Sequence, residues 1–198
     1  KPSVFPVALL EAADAMKMIR EHAAEWHVDP EAIAVIGFSA GGHLAANLAT
    51  STSDDVLEAH GYAPDAVRPN GLMLAYPVIT SGPLAHRGSF DSLLGERRND
   101  SEALESVSIE RHIDAKTPPV FVWHTVPDEV VPYENTLMLV DACKKAGVSI
   151  EAHLFPQGGH GLSLGTAETA WQGVNGIEPS MQIWTQLAVA WMRRTFAR

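Results

Sequence analysis

A chain of 198 residues, 46% hydrophobic and 19% charged with five Trp and six Phe, holds enough apolar material for one packed domain and lacks the composition of a disordered segment. Its net charge of −10 repels phosphates, which excludes nucleic acid as a partner and favours a neutral small ligand. No apolar run approaches the ~20 residues that cross a bilayer and no secretory leader is visible. A cytoplasmic protein without membrane attachment is expected, although the chain starts at Lys1 with no initiator Met and a removed leader stays open.

Read in chain order, helix-like and strand-like patterns alternate. Residues 6–26 form an amphipathic helix pattern, with Leu9, Met16, Ile19, Ala23 and Trp26 on one face and Glu11, Asp14 and Lys17 opposite. A turn, "HVDPEA", leads to a short apolar strand, "IAVIGF", and "GGHLAANLAT" opens the next helix. A second strand, "NGLMLAYPV", is ended by Pro77. Residues 80–118 are irregular and polar, part helical, with a turn at 95–100. "PPVFVWHT" is a third strand; a helix over 133–146 stops at Gly147; "SIEAHLFP" is a fourth strand. A closing helix over 179–196 turns Ile183, Trp184, Leu187, Ala188 and Trp191 inward. Helices separating short, wholly apolar strands imply β-α-β units: an α/β fold with a mostly parallel sheet covered on both faces, in one domain spanning 1–198. Ligands of such sheets lie beyond the carboxyl ends of the strands, just after Phe38, Pro77, His124 and Phe155.

At the first of these points stands Gly37-Phe38-Ser39-Ala40-Gly41, a G-x-S-x-G turn between a strand and a helix. A serine held in so sharp a turn is pushed out above the sheet, flanking glycines avoid collisions, and the Ala40 amide at the helix start can face a developing oxyanion. A phosphate cradle is the rival reading, but no Lys follows the glycines. A serine hydroxyl reacts only when a base takes its proton, and the base needs a carboxylate to orient it. Both partners appear in the required order. "HTVPDEVVPYEN" after the third strand offers Asp128 and Glu129, and Asp128, in the loop directly after the strand, is the better acid. "PQGGHGLSL" after the fourth strand offers His160 on a glycine-flanked loop. His43 is expected to pack near the site and His124 to brace the acid loop; the remaining histidines read as ordinary. The single cysteine, Cys143, shares a helical face with Leu139 and Ala146 and reads as core packing; it excludes a disulfide within the chain and a multi-cysteine zinc site. No histidine pair sits at metal-ligand spacing with carboxylates, so no metal and no cofactor is expected.

Together "GFSAGGHLAA", "VWHTVPDEVVPYEN" and "LFPQGGHGLSL" resemble the α/β-hydrolase superfamily, and most of all its BD-FAE-like branch of acetyl esterases and acetylxylan- or feruloyl-esterase-like proteins, near the hormone-sensitive-lipase group. The resemblance covers residues 5–196. It implies Ser39 as nucleophile, Asp128 as acid, His160 as base and Ala40 as one oxyanion donor. Pro127 departs from the Asp-Asp often found in the acid loop. The resemblance also implies strands and a glycine-rich oxyanion loop before residue 6. Nothing in this sequence matches them, so the chain is expected to be the C-terminal portion of the domain, from the nucleophile strand onward. Loss of one oxyanion donor costs on the order of 10²–10³ in turnover, and a bared sheet edge would invite self-association into a homo-oligomer.

The function expected is a serine ester hydrolase that cleaves short acyl esters, acetylated sugars among them, through an acyl-enzyme. Residues 80–115 are expected to line the pocket, with Tyr76, Leu84 and Leu162 contacting substrate. Two alternatives stay open: a serine peptidase of the prolyl-oligopeptidase type, and a binding protein that keeps the fold without catalysis.

Overall fold

The computed structural model describes residues 4–171 and 176–197. The chain opens with helices α1 (Val7–Glu21) and α2 (Ala23–Trp26), then strand β1 (Ala34–Phe38) and helix α3 (Ala40–Ala49). Short helices α4 (Asp54–Ala59) and α5 (Pro64–Val67) lead to β2 (Gly71–Ala75). Helices α6 (Arg87–Leu94) and α7 (Ser101–Ser106) precede β3 (Val120–Thr125), which is followed by α8 (Glu134–Ala146), β4 (Ile150–Phe155) and α9 (Trp184–Thr195). The four strands pair in the order β1-β2-β3-β4, every pair parallel, in registers such as Val35 with Leu72, Leu74 with Val122 and Trp123 with His153.

The pleat divides the apolar strands between two layers. Leu72, Leu74, Val120 and Val122 meet Ala45, Ala46 and Ala49 of α3 and Leu139 and Cys143 of α8 on one face. Met73, Ala75, Phe121 and Trp123 meet Trp184, Ala188 and Trp191 of α9 on the other. Strands β2 and β3 are buried along their whole lengths, as central strands of a covered parallel sheet must be. Helix α1 adds a third cluster through Leu9, Ala13 and Met16 against Leu48, Leu57 and Val67. Helices α6 and α7 close a fourth, in which Phe90, Leu94, Ala103 and Val107 pack on Val78 and Val131.

Two inward positions expected from periodicity face outward. The helix over 6–26 is broken at His22, whose backbone (φ −99°, ψ 10°) leaves the helical region, so Trp26 on α2 is 46% exposed and stacks on the His22 ring at 5.0 Å. The closing helix starts at Trp184 after a 3-10 turn over Pro179–Met181; Ile183 sits ahead of its first turn and is 47% exposed, whereas Trp184, Ala188 and Trp191 are buried.

The turn from β1 to α3 is packed backbone against backbone. A Cβ on Gly37 would meet the Gly41 carbonyl and stand 2.7 Å from Gly42 Cα; one on Gly42 would stand 2.9 Å from the Pro77 side chain. Gly41 has open space around it. The steric demand therefore falls on Gly37 and Gly42, not on both glycines of the G-x-S-x-G pattern. One turn further on, buried His43 joins α3 to the segment ahead of β3: its Nε2 donates to the Val107 carbonyl at 2.8 Å, its Nδ1 lies 3.0 Å from Asn47 Nδ2, and its ring edge meets Phe90. Burial pushes the His43 imidazole down to about 4 from its ordinary 6.5, against a smaller opposing pull from the Val107 carbonyl.

This packing makes two expectations measurable. Gly37→Ala should destabilise by about 1–3 kcal/mol, while Gly41→Ala should leave stability unchanged or raise it by up to about 1 kcal/mol as a better helix former. Urea unfolding compares them, and equal midpoints would contradict the close approach at Gly37. For His43, the unfolded state binds the proton more readily than the folded one, so stability is highest above pH 6.5 and falls as the pH drops toward 4. The loss amounts to about 3 kcal/mol. His43→Leu should flatten that part of the pH dependence in denaturation curves collected from pH 7 to pH 4.

Candidate active site

Three loops at the carboxyl ends of β1, β3 and β4 converge. Ser39 follows β1 with φ 53° and ψ −121°, a conformation that L residues rarely adopt and that costs roughly 1–3 kcal/mol. Backbone bonds hold it there: the Ser39 amide donates to Ala75 O at 3.0 Å, and the Ser39 carbonyl accepts from Gly42, His43 and Val78. The Ala40 amide is the first of α3, where helical N–H groups have no partner within the helix.

Asp128 stands three residues beyond β3, its side chain fully buried. Oδ1 accepts from the Val130 and Val131 amides at 2.9 Å each. Oδ2 accepts from His160 Nδ1 at 2.7 Å and from His124 Nε2 at 3.2 Å. Burial, the largest influence, pushes this carboxyl upward, yet the donors from His124, His160 and Val131, with the charge on His160, hold it well below the usual carboxylate range. Glu129, the other acid of the loop, is exposed.

His160 completes the line: its Nε2 accepts from the Ser39 hydroxyl at 2.7 Å while its Nδ1–H bonds Asp128. Its loop is anchored at three points. Thr125 Oγ1 donates to Gly159 O at 3.2 Å, the Ser163 amide donates to Tyr76 Oη at 3.1 Å, and Trp184 Nε1 donates to Ser163 O at 2.9 Å. Gly158 takes φ 99°, and a Cβ there would run into Leu162. The three residues named from sequence as nucleophile, acid and base are thus in hydrogen-bond contact. The arrangement can withdraw the Ser39 proton through one neutral imidazole whose tautomer a carboxylate fixes.

The other expected site residues lie as follows. Tyr76 is buried, stacks edge-on against His160 with ring centres 4.9 Å apart, and has φ 39°. Leu162 is buried in the α9-side core beneath the His160 loop. Leu84 is 37% exposed, and its carbonyl accepts from Asn135 Nδ2 at 3.0 Å. An apolar cavity of about 280 Å³ borders Ala40 and Gly41 and is walled by Phe5, Leu9, Leu44 and Leu93; of residues 80–115 only Leu93 reaches it. A wider cavity of about 1000 Å³, lined by Arg20, Tyr62, Arg68 and Lys116, opens at the opposite end of the strands and contains none of the three. Hydrogen-bonded geometry, not cavity size, singles out the rim after β1, β3 and β4 as the candidate site. Sequence reasoning missed Thr125, Thr136 and Trp184 as supports. The available signal was polarity at the inner end of apolar elements: Thr125 closes "VFVWHT", and Thr136 is buried in the first turn of α8. Among the described residues no cluster of His, Cys, Asp and Glu could hold a metal ion, and no helix is long and apolar enough to cross a membrane.

Known proteins are similar to this chain in sequence and fold. The BD-FAE family model matches residues 1–143, a span that contains Ser39 and Asp128 and ends before His160. The chain is 36% identical over 174 residues to Endo-1,4-beta-xylanase B of Butyrivibrio fibrisolvens, a match covering 88% of this chain and 27% of that protein. It is 30% identical over 154 residues to the acetylxylan esterase of Xylanibacter ruminicola, covering 76% of this chain and 30% of that one. The chain thus spans less than a third of the length of either curated relative. The crystal structure of an acetyl ester-xyloside bifunctional hydrolase from Caldicellulosiruptor lactoaceticus aligns with a TM-score of 0.82 at 36% identity, over 98% of this chain and 68% of that one. With the sheet order, the serine turn and these matches in agreement, the chain belongs to the BD-FAE family and has the α/β-hydrolase fold.

Proposed function

We propose that the protein is a serine carboxylic ester hydrolase acting on short acyl esters, with acetylated carbohydrate as the substrate class. The observation that carries this reading is the unbroken line from Asp128 Oδ2 through His160 to Ser39 Oγ, with 2.7 Å at each link. Ser39 Oγ attacks the ester carbonyl carbon while His160 Nε2 takes its proton. The oxygen of the tetrahedral intermediate faces the Ala40 amide. Collapse expels the alcohol, which recovers the proton from His160, and leaves an acyl-serine. Water, deprotonated by the same imidazole, then releases the acid and regenerates the hydroxyl. Asp128, ionised through neutral pH, holds the imidazole in the tautomer that makes Nε2 the acceptor and offsets the positive charge that forms on it. The acetylated-sugar class is supported by the names of the relatives: an acetylxylan esterase, a xylanase and an acetyl ester-xyloside hydrolase. A small acyl group also suits the modest apolar recess beside Ala40.

The expected result is hydrolysis of p-nitrophenyl acetate by the wild type, acetate release from acetylated xylan, and a fall in kcat of ~10³-fold or more in Ser39→Ala, with a comparable loss in Asp128→Asn. Equal rates in wild type and Ser39→Ala would reject the assignment of Ser39. Faster cleavage of peptide amides than of esters would reject the substrate class.

A further inference from the structure

His124 is a second histidine on the same carboxylate, and its surroundings decide that its Nε2 carries hydrogen. It is the penultimate residue of β3 and is fully buried. Nε2 lies 3.2 Å from Asp128 Oδ2 and 3.0 Å from Val131 O. A carboxylate and a carbonyl can only accept, so Nε2 carries hydrogen and its N–H is shared between them. Nδ1 lies 2.8 Å from the buried Thr136 hydroxyl, which can donate or accept. Both ring nitrogens therefore have a partner, and the ring needs no second proton to satisfy them. A neutral donor suits this place. A second cation beside Asp128 would compete with the imidazolium that His160 becomes during turnover, whereas an uncharged N–H stabilises the carboxylate without opposing that charge.

The geometry also separates what aims the carboxylate from what the carboxylate aims. The Val130 and Val131 amides hold Oδ1, but Oδ2 is held by only two groups, His160 and His124. Without His124, the position of Oδ2 would be set by the imidazole it is meant to orient. We propose that His124 is a positioning residue of the Ser39–His160–Asp128 relay: a buried imidazole, braced at Nδ1 by Thr136, whose Nε2–H fixes Asp128 Oδ2 so that His160 is aimed at Ser39. This rests on the ester-hydrolase reading.

The test is p-nitrophenyl acetate kinetics, with fluorophosphonate labelling of Ser39, for wild type, His124→Leu, His124→Gln and Thr136→Val. Wild-type turnover and labelling, both lost in Ser39→Ala, establish the underlying reading first; their absence in wild type would sink that reading rather than this one. With wild type active, His124→Leu should lower kcat by ~10–100-fold and slow labelling equally, with KM within about twofold, as expected for loss of a hydrogen bond to a charged group. His124→Gln, which can return an N–H to Asp128, should recover most of that loss. Thr136→Val, isosteric and acting only through His124, should lower kcat by several-fold, and it becomes the deciding variant if His124→Leu fails to fold. Wild-type kcat in His124→Leu, or in Thr136→Val where that variant decides, would overturn the proposal. So would equal losses in the Leu and Gln variants, or a change confined to KM.

Discussion

A carboxylate removed from water must be compensated by donors or it will not stay charged. That requirement organises the rim of this molecule where the strands end. Asp128 has no exposed side-chain surface, and four N–H groups converge on its two oxygens: two backbone amides of its own loop and two imidazoles from different strand ends. A buried acid lacking that set would take up a proton and could neither orient His160 nor balance its charge. The loop after β3 is therefore shaped to turn its amides inward, and β3 ends in a polar pair, His124 and Thr125, that serves the neighbouring loops in place of the core.

The sheet makes this assembly easy to build because it is parallel. All strands point the same way, so the loops after β1, β3 and β4 emerge on one rim. The strand between, β2, leads into Tyr76 and Pro77: the phenol holds the His160 loop through the Ser163 amide, and the proline presses on Gly42 behind the serine turn. Each of these side chains thus rests on an element whose burial is independent of the chemistry. The strain at Ser39 persists because the surrounding backbone bonds leave it no alternative.

The strands, the helices flanking them and the three hydrogen-bonded side chains were readable from sequence, for a common reason. Short, mainly apolar runs of five or six residues between helical periods have few solutions other than a covered parallel sheet, and ligand-facing residues of such a sheet lie just past the strand ends. What escaped depends on geometry with no local signature. Trp26 and Ile183 belong to apolar periodicities that the backbone interrupts, at His22 and at the turn before α9. Helices α4 and α5 are too short to show a period. The pattern G-x-S-x-G names Gly37 and Gly41, yet the glycine pressed by Pro77 is Gly42, because that tight contact comes from the end of β2 and not from the turn itself. Tyr76 and Leu162 were expected as substrate contacts, and their burial against the histidine loop follows from the fit of α9 against the sheet, which has no local signature.

Cys143 lies fully buried between α8 and the sheet, and burial pushes its thiol up to about 12. It is the only cysteine in the chain. At neutral pH it has almost no thiolate, so alkylating reagents find nothing to attack. A cysteine introduced at an exposed point, on the loop carrying His160 or along α6, would therefore be the sole reactive thiol of the molecule. Fluorophores or spin labels could then report movement at the rim without any prior removal of native sulfur.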